Sequence, residues 1–363
     1  MHGNNLRVQN IVVGRNLMKA LVLADYNRLE YRDVPTPEPG PDDVLIEVIA
    51  CGICGSDVHG MDGSTGRRRP PVIMGHEAAG RIARLGANVR DWAEGDRVTF
   101  DSTIYCGRCS FCRSGRINLC DNRRVLGVSC EEYRSDGAFA QYVAVPGHIL
   151  ARLPDEVSFH QAALVEPLSV ALHAAGRARI ESGDTAVVIG AGMIGLLVVQ
   201  TLRSAGCRRV VAVDINADRL ELAGKLGADE TLRAEAVDVP AEVAKITDGR
   251  LADVVVEAVG AASTVQDAVA CLRKGGRLVL VGNVSPEIPL PLQAVVTREL
   301  TLLGSCASSG EYPACLDMIA RRAVDVDSLI SAAAPLAEGA SWFERLRRGD
   351  ENLMKIILEP QTS

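Results

Sequence analysis

Short apolar runs broken by glycine and proline occupy the chain from Lys19 to about Ala151: "KALVLA", "DVLIEVIA", "AAGRIARLG", "DRVTF" and "AQYVAVP". Runs of this length and spacing predict the strands of a compact, mostly β domain of barrel type. From about Ser169 to Ser305 the pattern changes. "TAVVIGAG" precedes a helical "MIGLLVVQTLRSAG", and "RVVAVDI" precedes "NADRLELAGKLGAD"; "ADVVVEAVG", the helical "ASTVQDAVACLRKGG" and "RLVLVGN" follow. Apolar strands alternating with helices of this length predict a doubly wound parallel sheet, and so an α/β fold. The tail from about Cys306 holds a helical segment around "YPACLDMIARRA" and a last strand in "MKIILEP". It is too small to stand alone and is expected to pack back on the first domain. The expected division sets 18–168 with 306–363 against 169–305. Residues 1–17 are read as a loose extension ahead of a second methionine, Met18.

Length and composition agree with this division. A chain of 363 residues is long for one core. Its 47% apolar and 23% charged residues describe a soluble globular protein, and its 34 glycines predict tight turns and close backbone approaches. A net charge of −7 argues against a nucleic-acid surface. The arginine run "GRRRP" (Gly66–Pro70) reads as a solvated loop rather than a phosphate-binding patch. No stretch approaches the ~18 continuous apolar residues of a membrane span, and the N-terminus lacks the h-region of a secretory signal. The 11 cysteines cluster without resembling a disulfide framework. A reducing cytoplasm, with some cysteines on metal, is the expected setting.

"VVIGAGMIG" supplies Gly190, Gly192 and Gly195 as G-x-G-x-x-G after an apolar strand and at the start of a helix. Asp214 ends the next strand, 19 residues after Gly195. Together these form the dinucleotide-binding fingerprint: a tight turn, a close backbone approach to the pyrophosphate, and a helix N-terminus presenting N–H groups. Asp214 suits the adenosine ribose hydroxyls and repels a 2′-phosphate, which favours NAD over NADP. Arg219 pulls the other way, since an arginine there can touch a phosphate or stack on adenine.

Two constellations suit metal. "CGRCSFCRSGRINLC" sets Cys106, Cys109, Cys112 and Cys120 at the spacing of a closed four-thiolate zinc site, which is structural. An iron–sulfur cluster also takes four cysteines, but its usual spacing differs and a proline follows the last, where this chain has Asp121. "CGICGSDVHG" (Cys51–Gly60) is ambiguous alone: a redox couple, half of a zinc knuckle, or one useful thiolate beside a bystander. "MGHEAAG" adds His76 and Glu77, and "LVEPLSVALHAA" adds Glu166. One thiolate, one imidazole and one or two carboxylates, with a position left open, describe a catalytic zinc. Asp57 is placed to hydrogen-bond the outer nitrogen of His76.

On these motifs, with "LVGN" (Leu280–Asn283), the sequence from Met18 onward resembles the zinc-dependent medium-chain alcohol dehydrogenases, particularly the sorbitol (polyol) and threonine dehydrogenase branch. The resemblance implies a GroES-like catalytic barrel completed by the tail, and a Rossmann domain between its two parts. It implies reversible oxidation of a secondary alcohol to a ketone by hydride transfer, with one catalytic zinc, one structural zinc and NAD. Cys54 and His76 match catalytic zinc ligands; Glu77 matches a carboxylate on or near the metal; Glu166 takes the place of a third ligand cysteine; Cys51 matches no ligand. Ser56 and His59 match a proton relay, and Ile194, Val281, Gly282 and Asn283 match cofactor contacts. His173 is expected to be a packed structural histidine.

The resemblance thins at the substrate. Sorbitol-type members carry an aromatic residue where this chain has Gly60, and an arginine–tyrosine pair where it has Ala307 and Ser308. "CASSGEY" (Cys306–Tyr312) then reads as a small polar lining for a cyclic or phosphorylated polyol, or a simple diol. Oxidation of threonine, a zinc-free enone or quinone reductase, and a non-catalytic nucleotide sensor are the alternatives. Relatives join as homodimers or homotetramers through the edge of the nucleotide-binding sheet, here "GGRLVLVGN" with "ELTLLGS".

Overall fold

The computed structural model describes residues 16–129, 135–349 and 351–362. Most of the expected N-terminal extension, residues 1–15, lies outside them, and the first strand begins one residue before Met18.

The first part of the chain forms β1 (Leu17–Asp25), β2 (Arg28–Pro35), β3 (Asp43–Gly52), β4 (Val72–Ile73) and β5 (Glu77–Leu85). It continues with β6 (Arg97–Phe100), β7 (Thr103–Ile104), β8 (Arg124–Val125), β9 (Tyr142–Pro146) and β10 (Leu150–Arg152). The parallel sheet follows as β11 (Thr185–Ile189), β12 (Arg209–Asp214), β13 (Glu230–Arg233), β14 (Ala252–Glu257), β15 (Leu272–Leu280) and β16 (Thr301–Gly304). The tail adds β17 (Ile330–Pro335) and β18 (Lys355–Glu359).

In the GroES-like barrel the strand order is β10-β6-β5-β3-β18-β17, with β9 also paired to β3. The tail therefore does return: β18 pairs antiparallel with β3 at Cys51 and Gly52, and parallel with β17. Ala20, Leu21 and Leu23 of β1 fill the barrel interior with Phe100, Phe139 and Phe343. The last two rings meet edge to face at 5.7 Å, the arrangement that aligns a positive ring edge with a negative face.

The Rossmann-type sheet is wholly parallel, ordered β13-β12-β11-β14-β15-β16. Every residue of β11 and β14 is buried, because helices cover both faces; hence these strands read as continuous apolar runs rather than alternating ones. The order reverses between β11 and β14, so the crevice at their C-terminal ends is where a dinucleotide fits. The helical reading of "ASTVQDAVACLRKGG" runs too long. The helix stops at Cys271 and Leu272 already opens β15, since its apolar run joins a sheet that no local pattern reveals. The expected boundary at 168/169 falls inside one helix, Val165–Ala178, which packs in the same apolar cluster as Ala50 and Ala79 of the barrel and Val188 of β11.

The helix Met193–Ser204 lies so close to β11 that a Cβ on Gly195 would stand 1.7 Å from the Gly190 carbonyl oxygen. That atom is backbone and cannot step aside. Gly195→Ala is expected to cost at least the ~1–3 kcal/mol of an overpacked core, read as a lower midpoint of thermal unfolding. An unchanged midpoint would refute this packing.

Candidate active site

β3 runs out at Gly52, and Cys54 then caps the short helix Gly55–Gly60. The Cys54 sulfur accepts from the Ser56 backbone N–H at 3.5 Å and from Ser56 Oγ at 3.3 Å. One turn of helix sorts the remaining polar residues. Ser56 and His59, three apart, are exposed, while Asp57 is buried. His76 directly precedes β5 and Glu77 opens it, so the register of β5 on β3, with Glu77 opposite Gly52, brings both beside Cys54.

Ligand atoms of Cys54, His76 and Glu77 lie within 4.8 Å of one another. A thiolate, an imidazole and a carboxylate at that spacing suit a divalent, borderline-soft ion such as zinc. His76 Nδ1 is buried and faces Asp57 Oδ1 at 3.5 Å, longer than a formed hydrogen bond. This orientation leaves Nε2 for a metal. Glu166, on the first turn of the helix Val165–Ala178, falls outside the three-residue set, and its Oε1 accepts from Ser102 Oγ at 3.2 Å. Burial raises the Glu166 carboxyl above its usual range; His76 and Lys355 oppose that shift and Glu77 reinforces it. Cys51 is fully buried and stands apart from the set, its thiol pushed up by burial and by Asp57 and Glu77.

Two charges here escape a sequence reading. Lys355, from β18, donates to the Glu77 carboxylate and, at 3.0 Å, to the Ile53 carbonyl. Burial alone would lower its ammonium pKa, but Glu77 and Cys54 hold it above the ordinary value. The only sequence signal is a lysine opening an otherwise apolar strand. Arg68 corrects the reading of "GRRRP" as a solvated loop. Arg67 and Arg69 are exposed, but Arg68 is 3% exposed and donates to Asp57 Oδ1 at 2.8 Å. A buried carboxylate requires a partner, and the loop turns its middle arginine inward to supply one.

The sulfurs of Cys106, Cys109, Cys112 and Cys120 also lie within 4.8 Å of one another. Cys109 and Cys112 approach to 3.4 Å, near the ~3.8 Å edge of a tetrahedron with Zn–S of about 2.3 Å. Backbone N–H groups of Cys106, Cys112 and Asn122 point at the sulfurs of Cys120, Cys109 and Cys120. Backbone N–H groups of Arg108 and Cys109 lower Cys106 to about 6, whereas burial and neighbouring thiols push Cys112 up to about 12. A dication relieves that crowding of negative charge, so the donor set fits zinc.

At the glycine loop, Asp214 accepts from the Ala191 N–H at 2.6 Å and the Asn216 N–H at 2.9 Å. This ties the end of β12 to the turn at Gly190–Gly192. Arg219 lies on the following helix with its Nε buried and unpartnered. Ile194 is half-buried in the helix that opens at Met193. Val281, Gly282 and Asn283 follow β15, where the first two donate to the Glu257 carbonyl at 2.9 and 3.1 Å. The fully buried carboxylate of Glu257 accepts from the N–H groups of Val259 and Gly260 and from Thr264 Oγ1. It shapes this edge of the crevice, and its only sequence trace is an acid ending an apolar strand.

The stretch Cys306–Tyr312 is less open than expected. Ser309 Oγ donates to the Gly115 carbonyl, Asn118 Nδ2 donates to the Cys306 carbonyl, Ser308 is buried, and Tyr312 is packed in the core. Glu311 pairs with His173 Nδ1 at 2.6 Å, which makes His173 a packed bridging residue.

Two family models match the chain: "Alcohol dehydrogenase GroES-like domain" over residues 40–155 and "Zinc-binding dehydrogenase" over residues 194–321. Sorbitol dehydrogenase of Bacillus subtilis (strain 168) is 34% identical over 347 residues, 94% of this chain and 97% of that protein. D-arabitol-phosphate dehydrogenase of Enterococcus avium is 33% identical over 339 residues, 92% of this chain and 94% of that protein. A zinc-binding dehydrogenase from Sinorhizobium meliloti 1021, solved bound to NADP, is 35% identical with a TM-score of 0.88, covering 95% of this chain and all of that one. With two metal-type clusters, a GroES-like barrel and a Rossmann-type sheet in one chain, this protein belongs to the zinc-type medium-chain alcohol dehydrogenases.

Proposed function

We propose that this enzyme oxidises a polyol, sugar alcohol, sugar-alcohol phosphate or diol to the ketone at a secondary carbon, with NAD as hydride acceptor. The observation carrying this reading is the convergence of Cys54, His76 and Glu77 in a chain whose parallel sheet ends at Asp214 and the Gly190–Gly195 turn. Similarity to sorbitol and D-arabitol-phosphate dehydrogenases supports the polyol class. Residues 18–168 and 306–363 serve as the catalytic domain and 169–305 as the cofactor domain. Cytoplasmic residence fits the free state of the described cysteines. A homodimer or homotetramer fits the sheet edge at β16, where Leu290, Leu292 and Val296 are exposed nearby.

Cys54, His76 and Glu77 would hold the catalytic zinc, and Glu166, whose carboxyl feels the charge of Glu77, would exchange with it as ligand or hold the zinc's water. When bound, the zinc and nicotinamide supply Lewis acidity toward the alcohol oxygen and a hydride acceptor. The chain's residues do the rest. Ser56 relays the hydroxyl proton, accepting it at Oγ as it gives up its own, and the exposed His59, three residues on along the same short helix, is the end of the relay that releases a proton to solvent. Cys106, Cys109, Cys112 and Cys120 hold the structural zinc. Asp214 takes the ribose hydroxyls, while Gly190, Gly192 and Gly195 admit the pyrophosphate, Arg219 reaches the adenosine, and Ile194, Val281, Gly282 and Asn283 line the nicotinamide half.

Metal analysis with a substrate screen tests this reading. The wild-type chain is expected to carry two zincs and to reduce NAD⁺ with at least one polyol, sugar-alcohol phosphate or diol. A metal-free chain that reduces enones would overturn it. His76→Ala should retain one zinc and lose turnover, while full turnover in that variant would remove His76 from the site. Cys106→Ser should instead reduce solubility and thermal stability, and a stable variant keeping its full zinc content would argue against the four-thiolate role. A Cβ on Gly192 meets nothing within 4 Å in the protein. Gly192→Ala should therefore leave the unfolding midpoint unchanged yet raise the Kd for NAD⁺, and unaltered affinity would place the pyrophosphate elsewhere.

A further inference from the structure

The loop that follows the proposed relay histidine carries an arginine in an unusual place. Arg68 is 3% exposed, and its Nη2 donates to Asp57 Oδ1 at 2.8 Å. The same oxygen faces His76 Nδ1 at 3.5 Å, and the other, Oδ2, accepts weakly from the Cys54 N–H at 3.4 Å. Asp57 itself is wholly buried. Burial would raise its carboxyl, but His76 and Arg68 together hold it well below the usual carboxylate range. One buried carboxylate thus joins the backbone of Cys54, the ring of His76 and the guanidinium of Arg68.

Gly60 shows how that arginine is accommodated. A Cβ at Gly60 would stand 2.9 Å from Arg68 Cγ and 3.4 Å from Thr65 Oγ1. Cγ lies at the root of the side chain rather than its mobile end, so it cannot yield while the guanidinium stays on Asp57. A side chain at position 60, such as the aromatic residue that the resemblance to sorbitol-type members implies there, would meet the stem of Arg68. The two positions form one unit: no side chain at 60 and a buried cation at 68.

We propose that Arg68, admitted by Gly60, is a positioning residue for the metal site, fixing Asp57 so that His76 is held with its outer nitrogen inward and its other nitrogen on the metal. This rests on the reading of Cys54, His76 and Glu77 as the catalytic zinc site. The physical case is direct. Removing Arg68 leaves a fully buried carboxylate with one cationic neighbour fewer, and the carboxylate, the imidazole or both must move to recover a partner. Outer partners of a ligating histidine govern ring orientation and metal affinity, and losing one costs about 10–100-fold.

The test measures zinc retention rather than turnover alone. The holoenzyme and its Arg68→Met, Arg68→Lys and Gly60→Ala variants are dialysed against graded chelator, with zinc content and thermal midpoint followed together. In Arg68→Met, one zinc is expected to leave at about 10–100-fold lower chelator concentration, while the four-cysteine zinc stays. Arg68→Lys should recover part of the loss. Gly60→Ala removes no polar group, yet should also weaken retention, and should add nothing further when combined with Arg68→Met. Wild-type retention in folded Arg68→Met overturns the proposal. If Arg68→Met does not fold, wild-type retention in both Arg68→Lys and Gly60→Ala does so instead. A wild-type chain carrying only one zinc overturns the metal-site reading, and the Arg68 proposal with it. Two zincs in wild type with unaltered variants overturns the Arg68 proposal alone.

Discussion

The buried pair of Lys355 and Glu77 is the constraint on which the rest of the barrel depends. Both side chains are almost completely excluded from solvent, and 278 positions separate them in sequence. An ionised carboxylate in that setting is tolerable only with a partner, since an unpaired buried charge costs several kcal/mol. The partner arrives on β18, which can reach it only by pairing with β3 at Cys51 and Gly52. Closing the barrel and neutralising Glu77 are thus one event. The same pairing places Lys355 Nζ on the Ile53 carbonyl, one residue before Cys54, so the start of the turn that carries Cys54 is set by the last strand of the chain.

A second set of charges meets the site from the opposite side. Asp57 lies behind His76, and Arg68 lies behind Asp57. His76 and Glu77, adjacent in sequence, are therefore each backed by a buried ionic partner from a different part of the fold. Asp57 comes from the short helix, itself held by Arg68 of the loop that follows, and Lys355 from the C-terminal strand. Such backing holds both donor groups in place before any metal arrives, which is what a site needs if its ligands are to keep one coordination geometry. Glu166, outside the three-residue set, accepts instead from Ser102.

The four-cysteine lobe works by other means. Its four cysteines fall within 15 consecutive residues, and their sulfurs are met by nearby backbone N–H groups. Yet the lobe is not isolated. Asn118 and Gly115, both between Cys112 and Cys120, hold Cys306 and Ser309 of the segment leaving β16. Glu311 of that segment holds His173 of the helix shared by barrel and parallel sheet. The lobe therefore braces the chain where it leaves the parallel sheet to rejoin the barrel.

Local pattern was enough for whatever local geometry decides. The apolar runs foretold β1, β3, β5, β6 and β9 of the barrel and the buried strands of the parallel sheet. The spacing of Cys106, Cys109, Cys112 and Cys120 foretold their convergence, and Gly190, Gly192, Gly195 and Asp214 their place at one crevice. Each depends on periodicity or on contacts between residues close in sequence. Cys54 and Ser56, two apart around a helix cap, are singled out only through the family resemblance, because "CGICGSDVHG" alone is ambiguous. Tertiary structure alone decided which charges are buried together. Arg68 reads as solvated because its arginine run is short and sits between glycine and proline, and Lys355 and Glu257 carry no local signal of their burial. Their roles come from carboxylates that need partners once the core excludes water, and only the assembled fold specifies which distant side chain can reach them.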